Sequence, residues 1–595
     1  MFHLNEARPL IPMYMHLLLS ALFPIYTGAH ASLSRPSSAA PPDKASNKKS
    51  KDEEDENEEE EVPQQMEGMS NTDAIVLPVT AGIVLMGLYF AIQWYGAEVI
   101  NLVLGWYFAG VGVLSVAKLV NDAGVLGMGF VWPTWFANAG KLWRVREVER
   151  KVVLYGEGTD AERTSPLPGV LASIPLLNEN WSWTARVALK KKYAVKAYIA
   201  RIIDLRATTT SLQIFSSILA LGAIVYANTV SKPWFLTNLQ GFAVSYAALQ
   251  LMSPTTFATG SLILMALFCY DVWAVFFTPF MVGVAKNLDQ PIKLVFPRPD
   301  GGAEGGRSYS MLGLGDIVLP GIMIGLALRF DLYLFYLRKQ KMKTTEEEQE
   351  EIEKTPYVSA TGKWGEHFWT RSLPTSALPP QLRASFPKPY FTASIVGYVA
   401  GMLATLGVMS VFQHAQPALL YLVPGVLGSL WGTALVRGEV KEMWGFSEAV
   451  TGEQIEVEGG EEGEAKEEGP AKGVFERLWA EIWGGEATKV EAKDGEKVDV
   501  TEAAMSKQGG EDEHDGLLFA FSMQRYDPSR RSAKTTAPSE SGTTTAQDTP
   551  SSSGSESSDD PVVVSTTDLA GGASSTGATQ YQSRGSQRSK RMKTG

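Results

Sequence analysis

Residues 255–285, TTFATGSLILMALFCYDVWAVFFTPFMVGVA, and residues 308–328, SYSMLGLGDIVLPGIMIGLAL, decide what kind of protein this is. Each run is long enough to cross a bilayer, because about twenty apolar residues at about 1.5 Å of helical rise span the hydrocarbon core. Each also carries a single carboxylic acid in its interior, Asp271 in the first and Asp316 in the second. Neither alternates apolar with polar residues, so a barrel strand is excluded and both read as helices.

The same criterion, applied outward, gives seven more segments: 9–29, 74–96, 99–118, 211–228, 235–252, 391–413 and 417–436. The expected fold is all-α, a polytopic membrane bundle of nine transmembrane helices with a disordered cytosolic tail. Its expected organisation is a first helix region (1–30), an acidic disordered loop (31–73), helices two to seven (74–330), a cytosolic loop (331–390), the last two helices (391–445) and a mostly disordered tail (446–595). Ala29-His30-Ala31 matches a signal-peptidase site, so the first segment is either a cleaved signal or a retained helix. Its length, its prolines at 9, 12 and 24 and its weakly charged start favour retention.

The formal net charge of -12 comes mostly from acidic low-complexity runs such as 51–62 (KDEEDENEEEEV) and 456–469 (EVEGGEEGEAKEEG), which argues against a nucleic-acid partner. One cysteine, Cys269, and six scattered histidines offer neither an internal disulfide nor a Cys/His metal spacing, and no cofactor is expected. Lys and Arg collect after the third segment (KLWRVREVERK, LKKKYAVKAYIAR) and after the seventh (RKQKMK), which puts those connections and the tail in the cytosol and the N-terminus in the lumen. Lys286, Lys293, Arg298 and Arg307 fall on the other side and weaken the bias without reversing it. The sequon Asn180-Trp181-Ser182 is then cytosolic and unused. Residues 473–483 (GVFERLWAEIW) have near-helical apolar spacing and read equally as an interfacial helix or as a short nascent helix in the tail.

Asp271 and Asp316 are the only acids inside the nine segments. A charge at the bilayer centre costs at least about 2.5–3.5 kcal/mol, so each marks a functional site by default. The segments are consecutive and form a hairpin. Each acid lies about eight residues from the shared lumenal side, roughly 12 Å deep at helical rise, so the carboxyls can meet. Two carboxyls close together in a low-dielectric site hold one proton between them; the ionised member can then activate a water while the protonated member donates to a scissile carbonyl. Gly313 and Gly315 leave room for a close backbone, or serve ordinary small-residue packing. Tyr270 offers a hydroxyl or packs. A proton- or cation-coupled transporter is the rival reading of two buried acids, and an inactive scaffold of the same fold is a second.

Three motifs in order, Tyr270-Asp271, Gly313-Leu314-Gly315-Asp316 and Pro417-Ala418-Leu419, together with YDVWAVFFTPFMVGVAK, PIKLVFP, SMLGLGDIVLPGI and HAQPALLYLVP, make residues from about 17 to about 445 resemble the intramembrane aspartyl proteases of the presenilin and signal peptide peptidase type, the latter branch most. The resemblance implies an aspartic endopeptidase of the endoplasmic reticulum membrane that cleaves membrane-embedded helices: signal-peptide remnants and type II or tail-anchored proteins. It makes Asp271 and Asp316 the catalytic pair and sets Pro417, Ala418 and Leu419 beside them at the cleft. The long connections 120–210 and 331–390 and the large tail depart from the family pattern and suit regulatory surfaces, a second copy or degradation-complex partners.

Overall fold

The computed structural model describes residues 11–41, 66–147, 149–155, 162–173, 179–199, 203–297, 309–344, 350–412, 416–448 and 519–525. The acidic run 51–62, the 473–483 stretch and the tail other than 446–448 and 519–525 lie outside them, so the expectations of a disordered acidic loop and of a tail helix fall outside the described residues.

Eight described helices are long and apolar enough to cross a membrane. These are α1 (Ile11–Ala31), α2 (Asp73–Tyr95), α3 (Ala97–Val131), α5 (Ser211–Thr229), α7 (Phe257–Phe277), α9 (Gly315–Leu337), α11 (Pro389–Phe412) and α12 (Leu419–Arg437). The shorter helices are α4 (Glu179–Lys190), α8 (Phe280–Asn287), α10 (Trp364–Thr370) and α13 (Val440–Gly445). The expected segment 235–252 forms α6 (Trp234–Leu251), which buries Asn238, Gln240 and Gln250 and is less apolar than the others for that reason.

Chain connectivity nevertheless requires α6 to cross. Strand β1 (Glu67–Met69), just before α2, pairs in parallel with β8 (Met252–Pro254), just after α6. Three crossings by α2, α3 and α5 leave the chain at the opposite end, so only a fourth, by α6, brings β8 back to β1. The described residues therefore make nine crossings, as the sequence predicts. α2 and α3 are separated by Gly96 alone, whose φ of 84° is costly for any residue with a Cβ.

α9 is the central helix, with 83% of its apolar window buried, whereas the corresponding window of α2 has none. The apolar residues of α2 and α3 that face outward, such as Ile83, Trp94, Leu102 and Trp106, form a surface that only lipid can satisfy. At the end that holds β1 and β8, Arg329 of α9 is buried and ties several elements together. It donates to Ser32 Oγ at 2.7 Å and Ser253 Oγ at 2.6 Å and pairs with Glu448 at 2.7 Å.

Three sequence expectations are corrected. Residues 309–313 are not helix but β10 (Tyr309–Gly313), antiparallel to β9 (Lys293–Pro297), so the roughly 12 Å depth assigned to Asp316 from helical rise does not apply. α9 runs on to Leu337, which places Arg329 and Asp331 inside a membrane helix, where the sequence reading found only two acids. The connections after α3 and α9 begin later than the expected 120 and 331, since α3 runs to Val131 and α9 to Leu337. They fold together on one side, with a sheet β2 (Trp135–Asn138), β3 (Lys141–Arg146), β4 (Lys151–Leu154) and β5 (Glu162–Arg163) packed with α4 and α10. Phe136, Val145, Val152 and Trp183 form one small core there, and Trp135, Leu142, Leu378 and Leu382 another. Gly365 of α10 meets the Gly129 carbonyl of α3 so closely that a Cβ would lie 2.0 Å from it.

A separate unit consists of β6 (Lys192–Ile199), β7 (Ile203–Thr210) and β11 (Phe519–Arg525), with β11 antiparallel to β6 from Phe519 opposite Ile199 to Arg525 opposite Tyr193.

Candidate active site

Asp271 lies in the second half of α7 and is buried, at 8% exposure. Asp316 is the second residue of α9, on the turn from β10 into the helix, and is partly exposed. α7, α9, α11 and α12 pack around them, and Asp271 is near enough for its charge to act on Asp316. The hairpin expected from sequence thus brings the two acids together, by a route that is strand and turn on the Asp316 side.

Each member of the GLGD motif has its own place. The Gly313 backbone reaches the Asp316 carboxyl, and a Cβ on Gly313 would stand 3.3 Å from Asp316 Oδ2, tighter than nearly all such contacts. Leu314 donates its N–H to the Ile292 carbonyl at 3.0 Å, which continues the β9–β10 pairing into the motif. Gly315 is different. A Cβ there would meet only Leu319 of its own helix, at 4.0 Å, so Gly315 leaves open space on the exposed side of Asp316. The sequence readings of these glycines, room for a close backbone or ordinary small-residue packing, do not name the neighbour found at Gly313, which is the acid's own carboxyl.

Tyr270 faces away toward α2, where a Cβ on Gly82 would lie 3.5 Å from its ring, and it neighbours Trp273 at 6.3 Å between centroids. This is the packing role.

The PAL motif meets Asp271 directly. The Leu419 N–H donates to Asp271 Oδ2 at 3.2 Å. Pro417 and Leu419 are buried and Ala418 is half-buried. Leu419 is the first residue of α12, where a helix has free backbone N–H groups, and one of them is spent on the acid. Pro417 ends the preceding connection and lets the chain enter the helix at that point.

Sequence reasoning missed how this helix is held. On α11, Gly397 and Gly401 lie one turn apart, and a Cβ on them would come within 2.2 Å of the Gly425 carbonyl and 2.7 Å of the Tyr421 carbonyl. α11 and α12 therefore touch backbone to backbone, which only small residues permit. The GYVAG string (397–401) is the signal that was available. One residue on, fully buried Tyr398 donates its hydroxyl to the Asp316 backbone carbonyl at 3.3 Å. So α11 contacts both halves of the site, Asp316 through Tyr398 and Asp271 through the α12 start.

A profile of the signal peptide peptidase family matches residues 58–450. The chain is similar to a signal peptide peptidase of Homo sapiens, 28% identical over 440 residues, covering 73% of this chain and 83% of that protein. It is similar to intramembrane protease 2 of Caenorhabditis elegans, 34% identical over 235 residues, 39% of this chain and 42% of the relative. A probable intramembrane protease of Saccharomyces cerevisiae is 27% identical over 400 residues, 64% of this chain and 60% of the relative. A family match that runs from before α2 to beyond α12, on a nine-crossing bundle with two acids at its heart, means that the chain belongs to the signal peptide peptidase family of intramembrane proteases.

Proposed function

We propose that the chain is an aspartic endopeptidase that hydrolyses peptide bonds of membrane-embedded helices with a water held between Asp271 and Asp316. The observation that carries this reading is the Leu419–Asp271 hydrogen bond, because it joins the third motif to the first at the acid itself. Asp271 and Asp316 act as a pair. One takes a proton from the water as it attacks the scissile carbonyl, and the other donates to the carbonyl oxygen. The Leu419 amide fixes one carboxyl and the Gly313 backbone the other. The open side at Gly315 suits the approach of an unwound substrate segment, since a peptide bond inside an intact helix is shielded by its own turns.

The substrates proposed are signal-peptide remnants and other type II or tail-anchored spans in the endoplasmic reticulum membrane. What supports the orientation is that the two basic connections, after α3 and after α9, meet at one end of the bundle. That end is then cytosolic, and so is the chain following α12. A glycosylation scan tests this: Asn180 stays unmodified, while a sequon introduced between β9 and β10 is modified.

The deciding experiment is cleavage of a signal-peptide-like peptide by the purified full chain, with products read by mass spectrometry. Asp271→Asn and Asp316→Asn each abolish the fragments without loss of membrane insertion. Fragments from either variant at the wild-type rate reject the mechanism, and aspartate-dependent ion flux without fragments favours a transporter.

A further inference from the structure

Asn238 lies on α6 and is 2% exposed. Its carboxamide meets one residue of β9 twice. Nδ2 donates to the Val295 carbonyl at 2.9 Å, and Oδ1 accepts from the Val295 N–H at 2.7 Å. In an antiparallel ladder both polar groups of a residue point to the same side, so a side chain bonded to both takes the place of a peptide on a neighbouring strand. Val295 faces Met311 in the register, and Leu294 and Phe296 pair with Leu312 and Ser310 on the other edge. Asn238 therefore completes the edge of β9 that β10 does not use. Without it, a backbone N–H and C=O beside buried Leu294 and Phe296 would lose their partners where water cannot replace them.

One turn further along the same face of α6, Gly241 permits an equally close approach. A Cβ there would lie 2.7 Å from Leu294 Cδ2 and 3.4 Å from Leu314 Cδ1. α6 thus bears on β9 through Asn238 and on the GLGD motif through Gly241. From Val295 the ladder leads to Gly313, opposite Lys293, and from Gly313 to the Asp316 carboxyl.

We propose that Asn238 is a positioning residue for Asp316: by clamping Val295 it sets β9, and through the β9–β10 register it sets where the Gly313–Asp316 turn stands relative to Asp271. This rests on the reading of Asp316 as half of the catalytic pair. Asn238 itself touches neither acid. Its effect falls on turnover, because a displaced carboxyl spoils the geometry of attack more than it spoils the binding of a long apolar substrate.

The test uses the full chain in detergent with a fluorogenic signal-peptide substrate and two variants. Asn238→Leu keeps the shape and removes both hydrogen bonds; kcat falls about tenfold or more while KM stays within about twofold. Asn238→Asp accepts from the Val295 N–H but donates to its carbonyl only when protonated. Its activity relative to wild type therefore rises as pH is lowered from about 8 to about 5.5, whereas the Asn238→Leu ratio is flat. The other titratable groups facing this region, His16 of α1 against Phe296 and Lys293 on β9, are common to all three proteins and cancel in the ratio. Because the Asn238→Asp profile needs only the wild type beside it, it holds even if Asn238→Leu does not fold. Wild-type kcat in Asn238→Leu, or a pH-flat ratio in Asn238→Asp, overturns the proposal. Cleavage by Asp316→Asn in the same assay instead overturns the catalytic reading beneath it.

Discussion

The Leu419 backbone N–H donates to Asp271 Oδ2 at 3.2 Å, joining two residues 148 positions apart in the chain. A backbone donor cannot swing away as a side chain can, so the position of this carboxyl is set by the start of α12. Lengthening the acid tests how much that matters. Asp271→Glu keeps the charge but carries the carboxyl past the Leu419 amide by one methylene. A misplacement on the order of 1 Å costs about a hundredfold in rate. The expected result is cleavage reduced by about that factor with an unchanged melting temperature, and activity near wild type would show that the amide does not fix the acid.

The backbone contact between α11 and α12 makes a second prediction. Gly397→Ala places a methyl 2.2 Å from the Gly425 carbonyl, an atom that has no freedom to rotate away. The helices must separate, at about 1–3 kcal/mol, and Leu419 and Tyr398 shift with them. Melting temperature and cleavage rate fall together in Gly397→Ala. In Gly407→Ala, on the same helix with open space around it, neither falls. Equal behaviour of the two variants would refute the contact.

Asp331 separates a structural acid from the proposed catalytic pair. It is 2% exposed and accepts the Tyr390 and Phe391 N–H groups at 3.3 and 2.9 Å, so it caps the N-terminus of α11 from a neighbouring helix. Asp331→Ala strands two buried donors, which costs about 1–3 kcal/mol, and it lowers the melting temperature. Asp331→Asn keeps an acceptor and retains cleavage. Loss of all cleavage in a stably folded Asp331→Asn would place a third acid in the chemistry.

Asp331 also marks where the sequence was legible and where it was not. Asp271 and Asp316 stand out because an acid in an apolar run has no ordinary explanation, and the motifs around them are local. Asp331 and Arg329 read as the end of a span because charges close a hydropathy window, yet both are buried against protein rather than lipid. α6 was legible by length although its buried amides dilute its apolarity. The β9–β10 hairpin was not, although PDGG (299–302) between PIKLVFP and SYSML is a turn signal, because the apolar run into GLGD reads as helix from residue 308 onward. Tyr398 and the Gly397–Gly425 contact were hidden for a different reason: nothing in one helix says which neighbour it meets.

The small folded region built from the connections after α3 and α9 depends on a buried charge. Arg186 is 1% exposed and donates to Glu147 at 2.8 Å and to the Trp132 and Pro133 carbonyls at 2.9 and 3.1 Å. Burial alone would raise the Glu147 carboxyl, but Arg186 and Lys190 outweigh it and hold it below the ordinary carboxylate range. A carboxyl held lower in the folded than in the unfolded chain stabilises fully above its unfolded value, about 4.3 for Glu, and that stabilisation disappears as pH falls through the folded value. Hydrogen-exchange protection of β3 and β4, corrected for intrinsic rates, should therefore hold from about pH 7 to about pH 5 and drop below about pH 4. In Glu147→Gln the protection is already lower at neutral pH and changes less on acidification. Arg186→Met leaves Glu147 without its buried partner and lowers protection most at neutral pH, where the carboxyl is charged. Protection in Glu147→Gln that follows the wild-type acid profile would mean that another group closes this region.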